Sequence, residues 1–215
     1  MDAAKCTETA ITLEENAAAE SRENKLEAYE IDEVEVPDCN SEDIDFEHCE
    51  TMCLRNNLIK CLENFAPVAS TLDELDLYDN QITKIENLDS LVQLTVLDLS
   101  FNRIRHIENL GALVCLKKLF LVHNRISKIE NLENLTQLEM LELGSNKLRR
   151  LENIDHLVNL TQLYVGKNKI PMLENMDNLV NLTLLSIQGN RITKIAGLDR
   201  LVNLEQLYLS ENGIT

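Results

Sequence analysis

The chain has 215 residues and a formal net charge of −17, and nowhere does it approach the roughly 18 consecutive apolar residues that a membrane-spanning helix needs. Such an acid excess disfavours direct binding of DNA, RNA or an anionic membrane, each of which is held through basic side chains. The six cysteines lack the spacing of a secreted disulfide framework, and Met1 to Glu8 lacks the basic-then-apolar order of a secretory signal.

The charge is unevenly spread. Residues 1–48 carry 16 acidic and 3 basic side chains, against 21 and 17 in the remainder. This stretch is an acidic arm on a nearly balanced body, and its composition predicts a mostly disordered segment. Ala10 to Tyr29 has helical character, but its apolar positions are mostly alanine and bury too little area to hold a helix alone.

From Cys49 onward the sequence becomes periodic. Cys49, Met52, Leu54, Asn57, Ile59 and Leu62 open a divergent unit, and six units of 22 residues follow, starting at Leu72, Leu94, Leu116, Leu138, Leu160 and Leu182. An incomplete eighth unit runs from Leu204 to Thr215. The recurring frame LxxLxLxxNxI resembles the leucine-rich repeat, and a fixed period of this kind determines the architecture. Residues 49–215 are therefore expected to form an α/β solenoid of about eight 22-residue repeats.

Within each unit, LxxLxL alternates inward and outward as a short strand does. Stacked units then give a parallel sheet on the concave side. The second half, typified by Ile82, Ile85, Leu88 and Leu91, spaces its apolar residues three apart, which predicts 3₁₀ or irregular helical turns on the convex side. Asn57, Asn80, Asn102, Asn124, Asn146, Asn168, Asn190 and Asn212 form a column whose amides are suited to pairing the backbone groups of each bend. Leu204, Leu207 and Leu209 are expected to form an uncapped edge. That reading predicts a truncated or alternatively spliced product, stabilised by restoring its downstream repeats.

No arrangement for catalysis stands out. Cys49, Cys53 and Cys61 near His48 lack paired zinc-ligand spacing, and the repeat frame points them in different directions. His106, His123 and His156 fall at different repeat positions with no nucleophile placed against them, and the six glycines are scattered. Neither an enzyme nor a cofactor or metal site is expected. The informative position is the outward one between the two leucines of LxL, which reads Cys53, Asp76, Asp98, Phe120, Glu142, Tyr164, Ser186 and Tyr208. Three of the eight Phe and Tyr residues lie on this line. Aromatic residues interleaved with acids across neighbouring strands are typical anchors for a protein partner, so Asp76, Asp98, Phe120, Glu142, Tyr164 and Tyr208 are the candidate binding residues.

Three phrases within the frame are more specific than the frame itself: Leu72-Asp73-Glu74-Leu75-Asp76-Leu77-Tyr78-Asp79-Asn80-Gln81-Ile82, Leu119-Phe120-Leu121-Val122-His123-Asn124 and Met140-Leu141-Glu142-Leu143-Gly144-Ser145-Asn146. Residues 43–215 resemble the SDS22-like leucine-rich repeat regulatory subunits of type 1 serine/threonine protein phosphatase. The resemblance implies a non-catalytic protein of the nucleus and cytoplasm, monomeric apart from its partner, the phosphatase catalytic subunit. It also implies that Asp98, Phe120, Glu142 and Tyr164 correspond to contact positions, the family having Phe where Tyr164 stands. Against the family pattern an opening repeat is missing between His48 and Cys49, as are the repeats after Thr215. The alternative reading is a general adaptor of the cytoskeletal or axonemal kind using the same face.

Overall fold

The computed structural model describes residues 48–215. The acidic arm read for residues 1–48 thus lies outside the described residues except for His48. Eight three-residue strands carry the architecture: β1 (Thr51–Cys53), β2 (Glu74–Asp76), β3 (Val96–Asp98), β4 (Lys118–Phe120), β5 (Met140–Glu142), β6 (Gln162–Tyr164), β7 (Leu184–Ser186) and β8 (Gln206–Tyr208). They form one sheet in the order β1 to β8, every pair parallel and in the register expected from the repeat.

Alternation along each strand decides what is inside. Leu75, Leu97, Leu119, Leu141, Leu163 and Leu185 point inward and are buried, as are Leu77, Leu99, Leu121, Leu143, Val165 and Ile187 two residues on. The convex half of each unit contributes a second set, such as Ile104, Ile107, Leu110 and Leu113. These columns form one continuous apolar core running the length of the solenoid. No single unit holds enough area to fold alone, so stability comes from stacking.

The asparagine column satisfies the bend that follows each strand. Asn124 is representative. Its Nδ2 donates to the carbonyls of Leu99 at 2.9 Å, Leu121 at 3.3 Å and Val122 at 3.3 Å. Its Oδ1 accepts from the backbone N–H of Ile104 at 2.9 Å. One amide thereby links two adjacent units and pairs groups that would otherwise be buried without a partner. Asn57, at the first described bend, is exposed and reaches only its own unit, donating to Leu54 and Arg55 carbonyls.

The convex side forms the expected short turns. Among the described residues, a 3₁₀ helix forms only at Ala66–Val68, where Pro67 pre-sets the backbone. Elsewhere single i→i+3 turns follow one another end to end, as in Leu113 to Leu110 then Leu116 to Leu113, and Leu135 to Leu132 then Leu138 to Leu135. A second asparagine ladder stands immediately before these turns. Asn87, Asn109, Asn131, Asn153 and Asn175 adopt left-handed φ between 56° and 59°, and each donates from Nδ2 to a carbonyl of the preceding unit at 2.6–2.7 Å. Each left-handed residue thus redirects the chain into the turns that follow it and ties that bend to the unit before.

Candidate protein-docking face

Parallel pairing in register brings the expected outward residues onto one line. Cys53, Asp76, Asp98, Phe120, Glu142, Tyr164, Ser186 and Tyr208 are successive lateral partners across the eight strands. At about 4.8 Å between strands, the segment from Asp98 to Tyr164 is a continuous strip. Its residues are less exposed than the alternation alone implies: Asp76, Asp98, Phe120, Glu142 and Tyr164 are half-buried, Ser186 is buried and Tyr208 is exposed. Cross-strand neighbours cover one another's flanks, which leaves the tips of these side chains as the accessible surface.

The carboxylates on this strip sit in an unusual environment. Burial raises the Asp98 carboxyl above its ordinary value, the Ser100 hydrogen bonds oppose the rise, and the neighbouring Asp76 charge adds to it. Glu142 is raised by burial and then by Asp98. Among the described residues no Lys, Arg or His lies within ion-pairing distance of either group. Asp76 differs, since Arg55 approaches it at 3.4 Å. Tyr164 and Tyr208 each donate from the hydroxyl to the glutamine two residues earlier, Gln162 at 3.1 Å and Gln206 at 2.9 Å. Those bonds fix the direction of both rings across the sheet.

A second aromatic feature was not apparent from the repeat frame. The Arg55 guanidinium lies over the Tyr78 ring at 4.3 Å, Tyr78 packs against Phe101 at 4.8 Å with the rings tilted, and Phe101 stacks on His123 at 4.8 Å. Tyr78 belongs to one repeat position and Phe101 and His123 to the next, so no single column displays the stack. The signal was the left-handed backbone at Asp79, Phe101 and His123, which is uncommon for bulky residues and is invisible in composition. The free cysteines lie apart, as the frame implied: Cys49 packs against the core, whereas Cys53 and Cys61 are exposed.

The strip presents aromatic rings and carboxylates side by side, and comparison with known proteins bears on its use. The sequence matches a family model described as leucine-rich repeat over residues 51–165 and one described as two copies of leucine-rich repeats over residues 180–215. Over 49 residues it is 54% identical to protein phosphatase 1 regulatory subunit SDS22 of Schizosaccharomyces pombe, a match spanning 23% of this chain and 14% of that protein. Internalin C2 of Listeria monocytogenes superposes with a TM-score of 0.73 at 31% identity, covering 77% of this chain and 73% of that one. A leucine-rich repeat protein of Leptospira interrogans does so with a TM-score of 0.62 at 24% identity, over 77% of this chain and 50% of that one. This last likeness is one of fold alone.

Proposed function

The chain belongs to the leucine-rich repeat family, and from that premise we propose that it is a non-catalytic regulatory subunit binding the catalytic subunit of type 1 serine/threonine protein phosphatase. Its concave strip is the docking face. Asp98, Phe120, Glu142 and Tyr164 form the centre, with Asp76 and Tyr208 towards the two ends. The observation carrying this reading is the 54% identity over 49 residues to a phosphatase regulatory subunit, joined to a strip where Asp98 and Glu142, half-buried and without an ion-pair partner among the described residues, alternate with aromatic rings. Such a strip fits a protein surface bearing positive charge and apolar pockets.

In this reading the chain performs no reaction of its own and uses no cofactor. It acts in the nucleus and cytoplasm, binds neither nucleic acid nor membrane, and is monomeric apart from the phosphatase. The test is calorimetric titration of the full chain with purified phosphatase catalytic subunit, comparing wild type with Phe120→Ala and Glu142→Lys. Truncating a central aromatic anchor is expected to weaken binding by about 2 kcal/mol, roughly thirtyfold. Wild-type affinity in both variants, or no binding by the wild type, would overturn the assignment in favour of a general adaptor with another partner.

A further inference from the structure

Beyond the strip the chain turns inward once more and then outward again, at Tyr78, Ser100, Val122, Gly144, Gly166 and Gln188. Neighbouring units remain joined here. The N–H groups of Asp79, Phe101, His123, Ser145 and Lys167 donate to the carbonyls of Ser100, Val122, Gly144, Gly166 and Gln188 at 2.7–3.0 Å. These residues are therefore a lateral row, like the strip beside it. Their side chains shrink from tyrosine to serine and valine, vanish at two glycines, and return at Gln188. The result is a short trough centred on Val122 and Gly144, bounded on one side by Ser100, which is buried, and on the other by Gly166, over which the Gln188 side chain folds with its Cγ 3.3 Å from where a Gly166 Cβ would stand. Asp98, Phe120, Glu142 and Tyr164 form one wall.

Gly144 is not required by the chain itself. It is absent from the residues with left-handed φ, and a Cβ built there would meet nothing nearer than the Gly166 carbonyl oxygen at 3.7 Å. Gly197 is the contrast, with φ of +75° and a Cβ position only 2.7 Å from the Leu173 carbonyl oxygen. Glycine at 144 leaves open space where a side chain would fit without strain. The filled end of the same row indicates what the space accepts. Arg55 occupies it in the first unit, its guanidinium over Tyr78 and its Nε 3.4 Å from Asp76. Asp98 and Glu142 continue the line of Asp76 along the wall, without a cation in ion-pairing reach among the described residues.

We propose that the trough floored by Val122 and Gly144 receives an arginine-bearing segment of the phosphatase catalytic subunit, its guanidinium groups pairing with Asp98 and Glu142 as Arg55 pairs with Asp76. This rests on the reading of the concave face as phosphatase-binding and adds to it a defined second row and a chemistry for the occupant.

The experiment uses the full chain and the purified catalytic subunit. Gly144→Leu is expected to keep the wild-type melting curve while weakening binding by more than about tenfold, because the floor is raised against the partner. The pair Asp98→Asn with Glu142→Gln is expected to weaken binding and flatten its dependence on salt. Gly144→Leu with wild-type affinity, while Phe120→Ala loses it, would overturn the trough and leave the strip standing. Loss in Gly144→Leu with an unchanged salt dependence in the double variant would overturn the arginine and make the occupant apolar. Should Gly144→Leu melt early, Gly144→Ser is read by the same criteria. Absence of any wild-type binding removes the phosphatase reading and this proposal with it.

Discussion

Leu141 and Glu142 are adjacent on β5, yet the columns they belong to behave differently. The inward column is leucine at every unit from Leu75 to Leu185, and all of it is buried. The outward column runs Cys53, Asp76, Asp98, Phe120, Glu142, Tyr164, Ser186 and Tyr208, with no two consecutive aromatic residues. Constancy inside follows from stacking, because each leucine packs against equivalents in both neighbouring units and a change disturbs three layers at once. Nothing within the chain imposes constancy outside. Periodic positions therefore encode the solenoid, and positions that escape the period are where selection for a partner can act.

The strongest way to break this contrast is to truncate both neighbours. Leu141→Ala is expected to destabilise by about 2–5 kcal/mol through the cavity it leaves, measured as the shift in urea midpoint. Glu142→Ala is expected to stay within about 1 kcal/mol on the same measurement, its loss appearing in phosphatase binding. Equal destabilisation by the two would mean the strip is packed as a structural layer.

The asparagine column allows the comparison to be made between the middle and the end of the solenoid. Asn124→Ala removes four hydrogen bonds, two of them to the preceding unit, and is expected to cost about 1–3 kcal/mol. Asn57→Ala removes two bonds at an exposed bend and is expected to cost a few tenths of a kcal/mol. Matching losses at both positions would show that burial and inter-unit bonding are not what the column supplies. Two glycines give the same kind of contrast: Gly197→Ala forces a left-handed alanine, at least about 1–2 kcal/mol, and drives its Cβ to 2.7 Å from the Leu173 carbonyl oxygen, whereas Gly144→Ala has no such cost and is expected to melt as the wild type does.

The sequence carried the period, the strand register and the strip, because all three follow from counting in units of 22 residues. It did not carry the second asparagine ladder. The segment Lys84-Ile85-Glu86-Asn87-Leu88 looks like a solvated face, and its left-handed φ at Asn87 leaves no mark on hydropathy. A sign was present in Gly197, which stands where the ladder has asparagine; exchange between these two residues marks a left-handed position. The Tyr78, Phe101 and His123 stack was hidden differently, since its members change repeat position between units. The trough was hidden because glycine at 144 has no side chain to display, and its meaning depends on the room around it.

The smallest expected effect is a response to pH, and here stability and binding should move in opposite directions. Burial raises the carboxyls of Asp98 and Glu142 above their ordinary values. Between the ordinary range and the raised value, the native state holds more protons than the unfolded state, so stability falls as pH rises through that window and is level above it. Acidification from neutrality therefore recovers stability that these charged groups withhold. Glu142→Gln should flatten that part of the curve, measured as urea midpoint against pH; parallel curves would mean that burial does not disfavour the charge. Binding has the reverse sign. A partner cation beside Glu142 favours the charged form, so complex formation releases protons and weakens as pH falls through the raised value. Calorimetry in buffers of different ionisation enthalpy reads that release directly, and its absence in the wild type would leave the two carboxylates without the cation that the strip and trough are proposed to receive.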